Sequence, residues 1–325
     1  FFFQAEDGIR DFCLSRGLGD VYKRQKQEKL ETIQEVIHVD NTSRIQSVRK
    51  EDSPEFYELI YKFYELTGIQ MLLKQFNVEL LNAQKYIETA RSIKSEDELI
   101  CMKASIETAE KGMMLMKEKL QAGMTEEELW SYMHKTNIEN GGEWFETRLL
   151  VSGPRTNPWL QECSNRIIEQ GDLVAFDTDM VGPYGYCADI SRTFVEGGKF
   201  NDTQRQLYSL AVEHIQHNKE LIKAGTSFRE FAEKSWKLPD SCYDNHYPCT
   251  IHGVGLCDEW PFVAYPNKDF SNSDYSACFE ENMTICVESY IGEVGGKEGI
   301  KLEDQFLVTK DGLKQLSSFP YEYSN

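Results

Sequence analysis

Apolar and polar positions follow two different periods along the chain, and the switch between them divides it. Ser95 and Glu98 stand at capping-box spacing, and Leu99, Met102, Ile106, Ala109, Met113, Met116 and Leu120 follow at alternating steps of three and four. The spacing predicts an amphipathic helix ending near Gly123, its methionine-rich stripe serving as core because flexible thioethers fill irregular gaps. Thr125 and Glu128 repeat the capping signal and predict a second helix as far as Gly141-Gly142. Beyond Glu143, short apolar runs between turns predict strands over 148–152, 173–177, 190–195, 284–290 and 301–309. A helix beginning near Asp202 and another from Ser227 interrupt them. Helices, strands, helices and strands in that order predict an α+β domain, with flanking helices packed on one face of a curved, mainly antiparallel sheet.

Composition narrows the partners. The 325 residues carry 35 basic against 54 acidic side chains, a net charge of −19. That charge repels phosphate backbones and anionic lipid, so neither nucleic acid nor a membrane is an expected partner. No uncharged apolar run approaches the roughly 18 residues a membrane span needs. The nine cysteines are odd in number and form no Cys-x-x-Cys pair, which suggests neither a disulfide framework nor a zinc knuckle and points to a reducing cytoplasm.

One internal echo carries the chemistry. LVAFDTD, a turn containing Gly182, Pro183 and Gly185, and ADISRTF form an apolar strand ending in acid and a return strand bearing another. TICVES, a glycine-rich turn and KLEDQF repeat the arrangement. Acids inside apolar strands are costly to bury alone, but two hairpins presenting paired carboxylates can share a cation. Divalent metals need several anionic oxygens about one point, often completed by a histidine. The candidate ligands are Asp177, Asp179, Asp189, His252, Glu288 and Glu303.

FDTD, ADISRTF, IHGVGLCDEWP, CVES and KLEDQFLVT, in this order, resemble the pita-bread metallopeptidase superfamily of methionyl aminopeptidases, Xaa-Pro peptidases and creatinase. The resemblance spans roughly residues 90–312. It implies a pita-bread fold and a dinuclear metal site between pseudo-symmetric halves, with Asp177 or Asp179, Asp189, His252, Glu288 and Glu303 at the ligand positions. Peptidases of this superfamily place one histidine before the first metal strand and another after HGxG. Here TNPWLQECS contains no histidine, and HGVGLCDEWP is one residue shorter, with Asp258 ahead of Glu259. Losing both imidazoles removes groups that polarise a scissile carbonyl.

These departures resemble one branch, the DddP-type dimethylsulfoniopropionate lyases, in which a DTD motif supplies an extra ligand. That resemblance implies cleavage of dimethylsulfoniopropionate to dimethyl sulfide and acrylate. It also implies six ligands, Asp258 as catalytic base, and Tyr247 as an active-site tyrosine. Iron is the metal it implies, with manganese, zinc or cobalt as alternatives, and the full-length protein is expected to be a homodimer acting on a small zwitterion. Aromatic faces attract a sulfonium by about 0.5–2 kcal/mol per ring, which makes Trp260 and Trp159 candidates for substrate binding. Cys249 and Cys257 are read as small core residues. Two other functions compete: a Xaa-Pro dipeptidase or aminopeptidase, and a non-catalytic binding protein on a retired peptidase fold.

The expected organisation has three parts. Residues 1–25 look like a non-native segment derived from a translated sequencing adapter. Residues 26–91, charged and helix-prone, are expected to be the remnant of a truncated N-terminal domain. Residues 92–325 are expected to form the catalytic domain.

Overall fold

The computed structural model describes residues 84–266 and 275–322. The chain divides into two units, Phe1–Leu81 and Asn82–Asn325, and every described residue belongs to the second. The expectations for 1–25 and for all of 26–91 before residue 84 lie outside the described residues.

Three helices lead: α1 (Gln84–Ser92), α2 (Glu96–Lys119) and α3 (Glu126–Glu139). The predicted capping boxes of α2 and α3 both form, with the Ser95 amide donating to Glu98 at 2.8 Å and the Thr125 amide donating to Glu128 at 2.7 Å. Met102, Ile106, Ala109, Met113 and Met116 are buried, as the periodicity of α2 requires. Strands then follow: β1 (Trp144–Phe145), β2 (Leu150–Ser152), β3 (Leu173–Asp177), β4 (Met180–Val181), β5 (Cys187–Ala188) and β6 (Ser191–Val195). Helices α4 (Asp202–Glu220) and α5 (Phe228–Lys234) precede β7 (Cys249–Val254), β8 (Asp258–Ala264), β9 (Thr284–Gly292), β10 (Gly299–Val308) and β11 (Leu313–Gln315).

All pairings are antiparallel. One sheet has the order β11-β10-β9-β7-β8, a second β2-β3-β6, and a third β1-β4-β5. Ile106, Met113, Leu129 and Trp130 of α2 and α3 pack with Leu150, Val174, Phe176 and Phe194 of the second sheet. Leu207, Ala211, Ile215 and Phe228 of α4 and α5 pack with Ile251, Val287, Ile300 and Leu302 of the first. Strand residues alternate faces. With Val287 and Leu302 committed to the helices, Glu288 and Glu303 must point the other way.

Side chains join the first and second sheets. The Thr193 hydroxyl of β6 accepts the Lys301 amide at 3.0 Å and donates to the Lys301 carbonyl at 2.9 Å. Ser191 donates to Glu303 Oε2 at 2.9 Å, and the buried Arg192 guanidinium donates to the Glu303 carbonyl at 2.6 Å.

The predicted strands occur with ends shifted by one or two residues. The short strands β1, β4, β5 and β11 are additions, and the hairpin β7–β8 is the longest, because Gly253, Gly255 and Pro261 break the alternation that would announce it. Gly253 is the permissive position. A Cβ there would stand 2.4 Å from the Trp260 carbonyl oxygen, inside the backbone of the partner strand. We expect Gly253→Ala to destabilise the protein by about 1–3 kcal/mol, because one of two paired strands must move. Chemical denaturation measures this, and an unchanged midpoint would show that the pairing tolerates a methyl group. Among the described residues, no helix is long and apolar enough to cross a membrane.

Candidate metal centre

The chain reverses after β3 through Asp179, whose φ of 34° lies in the left-handed region that aspartate tolerates better than most residues. This brings carboxylate oxygens of Asp177, Asp179 and Asp189 within 4.8 Å of one another. Thr147 holds Asp179 by a hydrogen bond to Oδ2, and the Glu146 amide donates to the Asp179 carbonyl at 2.9 Å. From the other half, His252 Nε2 lies 3.0 Å from Glu303 Oε1, 3.3 Å from Asp189 Oδ2 and 3.7 Å from Glu288 Oε1. The opposite ring nitrogen, Nδ1, is 3.1 Å from the Gly253 carbonyl, so a proton there leaves Nε2 as the free donor atom. All six sequence-predicted ligands therefore converge.

The donor set fits divalent metal. Five buried carboxylates and an imidazole meet, and Asp177 Oδ1 and Asp189 Oδ1 are buried with no hydrogen-bond partner, which is costly for an anion unless a cation faces it. Burial pushes the Asp179 and Asp189 carboxyls well above the usual range, and Asp177 beside each adds to it. Burial likewise raises Glu288 to about 7, although Lys301 pulls it back. Burial acts to raise Glu303 too, but Lys301 and His252 outweigh it and hold the carboxyl low. For His252, burial lowers the pKa, and Asp258, Glu303 and Glu288 together reverse this and raise it well above the ordinary imidazole value.

Above the cluster opens a cavity of about 400 Å³, lined by Asp177, Asp179, Asp189, His252, Tyr247, Asp258 and Trp260 among others. Asp258 Oδ1 is 3.7 Å from His252 Nδ1. Water reaches 41% of the Asp258 side chain, yet the depth of the cleft desolvates it and raises its carboxyl pKa. Glu303 and Asp177 push the same way, and His252 opposes. Trp260 lines the cavity and packs on Phe228 with ring centroids 5.8 Å apart. Trp159 is elsewhere: it is buried against Leu149, Val151, Ala175 and Tyr290, with Tyr247 packed beside this cluster. The structure thus does not bring Trp159 to the cavity, because its ring completes apolar packing between the halves. Cys249 is buried as expected but also lines the cavity, its thiol donating to Glu288 Oε1 at 2.8 Å. Cys257 is half-buried and accepts from Arg91 at 3.3 Å.

Sequence reasoning passed over Lys301. Its buried ammonium meets Asp177 Oδ2 at 3.2 Å, Glu288 Oε2 at 2.8 Å and Glu303 Oε2 at 2.7 Å, and lies 4.8 Å from the Tyr247 ring centroid. The signal was present, since residues two apart on a strand share a face and Lys301 stands two before Glu303. Glu146 was also missed. Burial lifts its carboxyl to about 7, and the charge of Asp258 contributes. Next to Asp258, buried Glu259 pairs with Lys94 at 2.5 Å and Arg91 at 2.7 Å, fixing the end of α1 and its following turn against β8.

The model of metallopeptidase family M24 matches residues 100–310. A model of the carbamoyltransferase C-terminus matches residues 20–108, mostly ahead of the described region. Dimethylsulfoniopropionate lyase DddP of Roseovarius nubinhibens is 42% identical over 264 residues, 79% of this chain. The same-named protein of Roseobacter denitrificans is 36% identical over 314 residues, 94% of this chain. The matches span 58% and 69% of the lengths of those two relatives. The prolidase of Pyrococcus horikoshii superposes with a TM-score of 0.66 at 30% identity, covering 81% of this chain and 72% of that one. The fold is accordingly the pita-bread fold of these peptidases, and the chain belongs to metallopeptidase family M24.

Proposed function

We propose that the chain is a metal-dependent carbon–sulfur lyase that cleaves dimethylsulfoniopropionate to dimethyl sulfide and acrylate. The observation that carries this reading is Asp258: a carboxylate stands in the cavity beside His252, where a peptidase of this family would present an imidazole. The likeness to the two lyases supports it. Asp177, Asp179, Asp189, His252, Glu288 and Glu303 would hold the metal, with iron the proposed occupant. When bound, divalent metal supplies positive charge against the substrate carboxylate, where negative charge grows as the adjacent proton leaves.

The remaining work belongs to the chain. Asp258 accepts the proton alpha to the substrate carboxylate, and raising its pKa strengthens it as a base while it stays ionised. The freed electron pair forms the carbon–carbon double bond, the bond from the β-carbon to sulfur breaks, and neutral dimethyl sulfide departs. Trp260 would offer a π face to the sulfonium, and Tyr247 lines the same cavity. A homodimer in the cytoplasm is part of the same proposal. The test is headspace release of dimethyl sulfide by metal-loaded protein, with proline release from a dipeptide as the competing assay. Release of proline without dimethyl sulfide would replace the lyase with a prolidase.

A further inference from the structure

The sheet that carries His252 sets a sulfur atom beside it. Cys286 of β9 is the antiparallel partner of His252 in β7, and Gln305 of β10 is its partner on the other side. Cys286 stands two positions before Glu288, with Val287 between them, so both side chains leave the same face of the strand. The Cys286 sulfur, an imidazole nitrogen of His252 and carboxylate oxygens of Asp189 and Glu303 all lie within 4.8 Å of one another, and all four residues are buried. Ligands at ordinary zinc–nitrogen and zinc–sulfur bond lengths, disposed tetrahedrally, stand about 3.6 Å apart, so four atoms this close can surround one ion after small side-chain rotations. The Cys286 thiol has a single weak partner, the Asp189 carbonyl at 3.6 Å, and Asp189 Oδ1 in the same cluster has none. That one weak contact does little to oppose rotation of the thiol toward an ion.

We infer that Cys286 is a thiolate ligand of the metal held by Asp189, His252 and Glu303, and that it biases this subsite toward iron, cobalt and zinc over magnesium and manganese. The inference rests on the metal-centre reading above. On binding, the thiol gives its proton to solvent and the sulfur lone pair forms the bond to the ion. Hard oxygen sites accept magnesium or manganese readily, whereas sulfur favours softer ions. A purely carboxylate and imidazole centre would lack that bias.

Cobalt-loaded full chain tests the inference without an activity measurement. Elemental analysis gives the bound cobalt, and the absorption spectrum is expected to show an intense near-ultraviolet sulfur-to-cobalt charge-transfer band. Cys286→Ser should lose the band while retaining cobalt and its weaker visible transitions. Cys249→Ser should keep the band, although the Cys249 thiol donates to Glu288. Cobalt bound by the unaltered chain without the band overturns the sulfur ligand and leaves the metal centre standing. A band that follows Cys249 instead of Cys286 overturns it as well. Failure to bind cobalt overturns both the ligand and the centre. Because the unaltered protein decides the first outcome, the inference does not depend on the variants folding.

Discussion

Asp258→Asn is expected to lower dimethyl sulfide release by about 10²–10⁴-fold, the range that one positioned general base contributes. The amide matches the carboxylate in shape but cannot accept the α-proton, so the loss should fall on turnover. Metal content should hold steady. Asp258 faces His252 Nδ1 at 3.7 Å, whereas the ligand cluster gathers around Nε2 on the far side of the ring. Elemental analysis alongside the headspace assay separates the two effects. Near-normal release with full metal would take Asp258 out of the chemistry, and Glu146 would become the next carboxylate to replace.

Lys301→Met should produce the largest stability effect of any single change at this centre. Its ammonium faces Asp177, Glu288 and Glu303 within 3.2 Å, and all four side chains are buried. Removing the cation leaves Asp177 and Glu288 uncompensated and Glu303 with His252 alone, a change that typically destabilises by about 3–5 kcal/mol. At roughly 2–4 °C per kcal/mol for a chain of this size, the metal-free melting temperature should fall by about 6–20 °C. Metal should restore part of the loss, because a divalent ion supplies the missing charge to the same oxygens. Thermal unfolding with and without metal reads both quantities. An equal drop in the two states would mean that Lys301 acts through packing rather than charge.

The legible parts of this protein were those written within one element. The α2 stripe and both capping boxes depend on residues three and four apart, and each forms as spaced. The acids were legible because a carboxylate in an apolar strand must be compensated, and two hairpins repeated that conflict. Lys301 was hidden by the opposite circumstance, since a lysine among charged residues looks like surface until β9, β10 and β6 are assembled around it. The β7–β8 hairpin was obscured by the glycines that allow it to form. Trp159 shows the limit of chemistry without placement: an indole can greet a cation, but this one is enclosed by Tyr290 and its neighbours.

The join between the sheets has its own consequence. Asp177, Asp179 and Asp189 come from one hairpin system and Glu288 and Glu303 from another, while Ser191 and Thr193 tie β6 to β10 through their hydroxyls. The separation between the two sets of carboxylates is therefore gauged by side-chain oxygens that bind no metal. Since the Lys301 amide is donated across this join to the Thr193 hydroxyl, its exchange with solvent deuterium registers the parting of the halves.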